Sequence, residues 1–285
     1  MRTMRSCPSA ISSLPPTPEP TVTIYERDPQ SRRAFRQAVP ESEIAAEDDW
    51  EKIEIKLVGK TELWGHYLWN AARAFTTFLD ENPQLYRGRN VLELGAAGGL
   101  PGIVAAKNGA RKVVLTDYDE PLINNLKDNI KTNFGIARGY GEDEAYPEDR
   151  ISAIEYRWGQ TVVPLLDLLP KSSPVRGFDV IILSDLVFNH SQHIALLQSC
   201  LDTLAPHPSN CSEETKATVP APVVLVFYSH HVPRYADRDL RLFVEAKERG
   251  WVCEEMAVEK YPPMFPEDPG SEEVRSTVHR WKLTR

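Results

Sequence analysis

The chain has little cysteine for its length: four residues in 285, Cys7, Cys200, Cys211 and Cys253, with no CxxC pair. That excludes a small disulfide scaffold and a thiolate metal centre at motif spacing, and it predicts free thiols in a reducing, cytoplasmic setting. No apolar run approaches the ~20 residues that cross a bilayer; the longest, such as Phe178 to Leu183, have the length of strands. No membrane partner is therefore expected. Positive charge is also short, with 33 Lys and Arg against 41 Asp and Glu and a net charge of −8, so no broad field draws nucleic-acid phosphates. Apolar residues at 41% and charged residues at 26% are ordinary globular proportions, which excludes fibrous and wholly disordered readings.

Aliphatic residues are scarce up to about Val39, where Pro, Arg and Ser dominate, too little apolar surface to offset the entropy of ordering. The reading is a flexible N-terminal arm, residues 1–45, followed by one domain, residues 46–285. Arg2, Arg5 and several serines without an acid give the first eighteen residues a faint transit-peptide character. Pro8, Pro15, Pro16 and Pro18 would break the amphipathic helix that import needs, so a disordered tail is expected.

From Trp50 the pattern tightens. KIEIKLV, Lys52 to Val58, alternates as a half-buried strand does, and Leu68, Ala71, Ala72, Phe75, Phe78 and Leu79 recur at helical steps until Asn82-Pro83. Short aliphatic runs then alternate with helical stretches: Asn90 to Leu94, Lys112 to Leu115, Ser152 to Tyr156, Phe178 to Leu183 and Val223 to Tyr228. This is the sequence form of β-α-β crossovers and a parallel sheet. Trp251 to Val258 and Ser276 to Leu283 follow each other without a helical pattern, which predicts an antiparallel pair. The expected fold is α/β, a Rossmann-like sheet of seven strands, mostly parallel with a terminal antiparallel β-β unit and helices on both faces. Polar loops are expected near 138–150 and 206–222, and Asp237 is a candidate cap for the helix carrying Leu240, Phe243 and Val244.

The turn VLELGAAGGLPG, Val91 to Gly102, directly follows a strand and opens a helix. Gly95, Gly98 and Gly99 let the chain turn sharply and bring bare backbone to a ligand. Asp117, about 22 residues beyond Gly95 at the end of the second strand, is placed to accept hydroxyl hydrogen bonds from a ribose. Spacing alone leaves a dinucleotide and an adenosyl cofactor open, although Ala97 stands where the dinucleotide fingerprint wants glycine.

LWGHYLWNAA (Leu63 to Ala72), VLELGAAGGLPGI (Val91 to Ile103), LTDYD (Leu115 to Asp119), YRWGQ (Tyr156 to Gln160), SDLVFNH (Ser184 to His190) and FYSHH (Phe227 to His231), taken in order, resemble the fungal elongation factor 1-alpha N-terminal and lysine methyltransferases. These stand within the seven-strand S-adenosylmethionine-dependent methyltransferases, and the resemblance runs from about Trp50 to the end. It implies S-adenosylmethionine as cofactor, with Trp64 against it, Gly95, Ala96 and Ala97 cradling it and Asp117 on the ribose. It also implies Trp158 beside the adenine and Ser184 at the methionyl end. The protein substrate it implies is translation elongation factor 1-alpha, methylated at its N-terminal α-amine and adjacent lysine.

For the acceptor, Asp185 ends the buried fourth strand, where a carboxylate can grip and orient an ammonium, while Phe188 and Tyr228 can wall out water. His230 is a candidate second proton carrier. His190 and His193 sit one helical turn apart but lack a third ligand at motif spacing, so no metal is expected. The segment after Ser184 lacks the Asn-Pro-Pro-aromatic tetrapeptide of nucleic-acid amine methyltransferases, so nucleic acid is not the expected substrate. It also carries Phe188 where related lysine methyltransferases often have Tyr in Asp-x-x-Tyr, so that hydroxyl contact cannot be transferred. Two rivals stay open on the sequence: a small-molecule amine methyltransferase of the nicotinamide type, and a non-catalytic module that only binds S-adenosylmethionine.

Overall fold

A computed structural model describes residues 18–45, 48–59, 61–134, 150–171, 176–206 and 220–285. Cys7, Cys211, the tail up to residue 17 and most of the two expected polar loops lie outside them.

The stretch read as a flexible arm corrects that expectation from residue 21 onward. Thr21–Glu26 form β1, and Pro29–Ala38 form α1, whose Asp28 cap accepts the Gln30 and Ser31 amides. Tyr25 and Phe35 are the apolar anchors, 6% and 1% exposed, so a few well-placed residues order a stretch whose average composition argues against it. β1 pairs antiparallel with β2, Lys52–Leu57, in a sheet of its own.

Side chains tie this layer down. Arg27 donates from Nε and Nη2 to the two oxygens of Asp80, each at 2.8 Å, and its Nη1 donates to the Asp48 carbonyl at 2.7 Å. Asp80 lies in α2, Asn70–Glu81, and also accepts from Asn108 at 2.7 Å. The outer edge of β2 would otherwise expose unpaired backbone, but Asn129 and Asn133, one helical turn apart, each accept an amide and donate to a carbonyl of that strand.

The main sheet holds β3 (Asn90–Leu94), β4 (Lys112–Asp117), β5 (Ile151–Glu155), β6 (Val180–Ser184), β7 (Val223–Ser229), β8 (Val252–Glu255), β9 (Glu259–Lys260) and β10 (Thr277–Thr284). Their order is β5-β4-β3-β6-β7-β10-β8, with β9 also on β10; β3 to β7 run parallel and β10 antiparallel to its neighbours. The α/β fold is therefore as expected, but the strand count is eight rather than seven. The run read as one strand from Trp251 is broken after Glu255: Glu255 pairs with Trp281 and Glu259 with Val278, which leaves one extra residue on that side, a bulge that splits β9 from β8.

Alternate sheet residues feed two cores. Val91, Val113, Val180 and Phe227 face α2, α3 (Leu100–Lys107) and α4 (Glu120–Phe134), whereas Leu92, Val114, Ile181 and Tyr228 face the opposite layer. That layer includes α5 (Val163–Leu166), α6 (His193–Thr203), the short α7 (Ala236–Asp239) and α8 (Arg241–Glu248). Asp237 lies inside α7 and caps nothing. A last short helix, α9, spans Glu272–Arg275. No helix among the described residues is long and apolar enough to cross a membrane. The crossovers reverse direction at β3, so the crevice outside the carboxyl ends of β3 and β6 is where such a sheet receives ligands.

Candidate active site

The chain leaves β3 into a turn with Gly95 at φ +63°, Ala97 at +49° and Gly99 at +75°. Glycine is needed at 95 on two counts: the left-handed backbone, and a Cβ that would stand 2.8 Å from Leu186 Cδ2 and 3.4 Å from Trp158 Cζ2. Asp117, at the end of β4, holds the turn in place. Its Oδ2 accepts the Ala97 amide and its Oδ1 the Tyr118 amide, both at 2.8 Å. Burial pushes its carboxyl up to about 6, with those two amides opposing the rise. Each carboxylate oxygen keeps a lone pair beyond the amide it accepts, which suits the two hydroxyls of a ribose.

Glu93 lines the same cavity and was not anticipated. It accepts the Gly102 amide at 2.8 Å in the first turn of α3, and burial pushes its carboxyl up to about 8, so at neutral pH it is mostly a neutral acid. Its signal was its place just before the glycine turn, read only as part of a motif.

The YRWGQ loop brings Trp158 over the turn. Ser199 of α6 fixes it, accepting the Gly159 amide at 2.8 Å and lying 2.9 Å from the Tyr156 hydroxyl. The result is one cavity of about 720 Å3, counting its open mouth, that brings together Gly95, Ala96, Ala97, Asp117, Trp158, Ser184, Asp185 and Phe188. The turn, the paired acid and a flat indole beside the space that a Cβ at Gly95 would fill fit an adenosyl group.

Trp64 is not brought in. Its own φ is +62°, the residue is 51% exposed, and its ring rests on His66 and Tyr67 outside the cavity. The left-handed turn throws the ring outward, and Trp69 forms the wall instead, tethered by its Nε1 to the Trp64 carbonyl at 3.2 Å.

On the acceptor side, Asp185 stands just past β6 with φ +60°, a conformation that costs a non-glycine residue about 1–3 kcal/mol. Its amide donates to the Phe227 carbonyl at 2.8 Å, which fixes the residue at the sheet edge despite the strain. Both carboxylate oxygens lie 2.9 Å from Nε2 of His231. Burial alone would lower the His231 ring, but the Asp185 charge and hydrogen bond, with Asp239 and Asp268 beyond, leave it above its ordinary 6.5. The ring packs on Trp69 with centroids 4.3 Å apart, and Phe265 meets Trp69 edge-on at 5.9 Å.

His230 therefore does not occupy the place expected of it. Side chains alternate along the end of β7, so Tyr228 and His230 turn to the α6–α8 layer while His231 turns to Asp185. His230 Nδ1 lies 2.7 Å from Asp239 Oδ2, and His190 Nε2 2.6 Å from Asp239 Oδ1, so Asp239 joins the loops that carry Asp185 and His231. Tyr228 is wholly buried against Phe243 and walls no channel.

Residues 48–217 match the lysine methyltransferase family. A protein N-terminal and lysine N-methyltransferase EFM7 from Cryptococcus neoformans is 42% identical over 243 residues, covering 84% of this chain and 77% of its own. Its namesake from Schizosaccharomyces pombe is 41% identical (82% and 83% covered), and that from Eremothecium gossypii 40% (91% and 90%). A solved O-methyltransferase from Bacillus cereus in complex with SAH aligns over 90% of this chain and 92% of its own at 12% identity and a TM-score of 0.41. The chain belongs to the lysine methyltransferase family, among its protein N-terminal and lysine N-methyltransferases, and is an enzyme that takes its methyl group from S-adenosylmethionine.

Proposed function

We propose that the enzyme methylates translation elongation factor 1-alpha in the cytoplasm, at the α-amine exposed after removal of the initiator methionine and at the neighbouring lysine. The observation that carries the reading is Asp185, a buried carboxylate in the same cavity as the glycine turn and Asp117. The relatives' names supply N-terminal and lysine methylation, and the six segments resemble the elongation factor branch. A net charge of −8 favours encounter with a basic partner, and the free Cys200 and Cys253 thiols suit a reducing compartment.

Bound S-adenosylmethionine supplies a methyl group on a positively charged sulfur that is already a good leaving group. What this chain adds is alignment and management of a proton. In this reading Asp117 binds the ribose, Trp158 lies beside the adenine and Ser184 meets the methionyl end. Asp185 holds the acceptor nitrogen so that its lone pair comes to about 3 Å from the methyl carbon, in line with the bond that breaks. The nitrogen must be neutral at that moment. An α-amine of pKa near 7.7–8.0 is about a tenth neutral at pH 7, whereas a lysine near 10.4 is neutral less than about one part in a thousand, so the N-terminus is the easier acceptor. Trp69 and Phe188 line the path and exclude water from the reacting pair.

The test incubates purified enzyme and methyl-labelled donor with a lysate from cells that lack the enzyme, then maps the label by mass spectrometry. Label on the first residue and adjacent lysine of elongation factor 1-alpha is expected. Label confined to small amines overturns the protein reading in favour of a small-molecule enzyme.

A further inference from the structure

Asp185 is engaged in the structure. Its carboxylate meets His231 Nε2 with both oxygens at 2.9 Å, while the Ser229 amide approaches only to 3.5 Å. The side chains of Asp185 and His231 are 3% and 20% exposed, so neither is free to swing into bulk water. A cation arriving through the cavity must therefore share a carboxylate that a neighbouring ring already occupies. The groups facing that ring come from four places: Asp185 after β6, Asp239 in α7, Asp268 in the loop before α9, and the Trp69 indole before α2. All three ionisable ones are acids, and they favour the imidazolium, the form whose charge offsets that of Asp185.

We infer that His231 is a positioning residue that competes with the acceptor's ammonium for Asp185, so that acceptor binding expels the proton from His231. The inference rests on the proposed reading of Asp185 as the acceptor's anchor. Two cations cannot share one buried carboxylate without one of them losing most of its compensation. The ammonium of the substrate has no proton to lose cheaply below about pH 7. The imidazolium does, and its proton leaves to solvent with the N–H bond electrons staying on the ring. Uncharged His231 keeps its stacking on Trp69 but loosens its hold on Asp185. The sign follows: acceptor affinity rises with pH through the titration of His231 and levels off above it, until the amine itself loses its charge.

The test titrates a peptide with a free N-terminal α-amine and a following lysine into enzyme saturated with S-adenosylhomocysteine, by calorimetry at pH 6.0 in two buffers of different ionisation enthalpy. Wild type is expected to release about one proton per peptide bound, and its Kd to fall by up to about tenfold per pH unit below the titration. His231→Asn cannot titrate; it is expected to release none and to bind with a Kd that is flat from about pH 5 to 7. His231→Gln repeats the measurement should the first variant fold poorly. Equal proton release, or equal slopes, in wild type and variants overturns the inference, as does a variant that is weaker by one constant factor at every pH. Failure of the proposed function is a different result: wild type that neither binds nor methylates the peptide at any pH, which removes the inference with it.

Discussion

The proposed donor half of the cavity is built from backbone, the proposed acceptor half from side chains. Around the donor pocket, three left-handed residues shape the turn and two amides fix Asp117. Around the acceptor, Asp185 gets its setting from His231, and Asp239 links the two loops through His190 and His230. Backbone geometry is written locally, in a dozen consecutive residues. Side-chain pairing joins residues 46 or 49 positions apart and depends on the fold being complete. The two halves should therefore fail separately.

The largest separation is expected from Asp185→Asn. It keeps size and removes the charge proposed to anchor the acceptor, so kcat should drop by about 10^2–10^4-fold on an N-terminal peptide. Donor binding, which depends on other residues, should stay within about twofold. Steady-state kinetics beside donor titration reads both, and a parallel loss of the two would break the comparison.

The N-terminal layer extends the same contrast to stability. Asp80→Ala strands the Arg27 guanidinium, which is 1% exposed and keeps two carbonyls and the Phe35 and Trp50 ring faces but no counter-charge, so unfolding free energy should fall by about 3–5 kcal/mol. Urea unfolding followed by tryptophan fluorescence checks this. A loss under about 1 kcal/mol would mean that the layer is held by Tyr25 and Phe35 alone.

These elements also mark how far the sequence could be read. Strands β3 to β7 and the glycine turn were legible because aliphatic runs and glycines act locally. The turn plus Asp117 outlined one wall of the cavity. His230 and His231 are chemically identical neighbours, and only the pleat beyond β7 decides which one faces Asp185. Trp64 and Trp69 differ by a left-handed turn that no spacing reveals. Residues 21–38 carried a usable signal, Asp28-Pro29 as a helix start, but it was lost in a Pro- and Arg-rich average. The pairing of Arg27 with Asp80, 53 positions away, had no local trace.

Within the donor half, pH gives a finer test. In the proposed reading ribose hydroxyls donate to Asp117 in its ionised form, and burial raises its carboxyl to about 6. Donor binding should thus be full above that pH and weaken by up to about tenfold per unit as pH falls through it. Asp117→Asn should bind weakly with no such limb; a wild-type affinity flat from about pH 7 to 5 would mean that Asp117 serves the turn and not the ligand.

The smallest effect belongs to Glu93. Because its carboxyl titrates near 8, the neutral amide of Glu93→Gln resembles the form present at pH 7 and still accepts the Gly102 amide. Donor affinity should change by less than about 1 kcal/mol. A larger loss in the same titration would assign Glu93 a charge-dependent role toward the donor.

The most direct test of two separable halves in one cavity is a single calorimetric series, S-adenosylhomocysteine titrated into wild type, Asp117→Ala and Asp185→Asn under one condition. Wild type and Asp185→Asn should give the same binding isotherm, and Asp117→Ala little or no heat. An Asp117→Ala isotherm that matches wild type, or loss of binding in Asp185→Asn, would contradict the account.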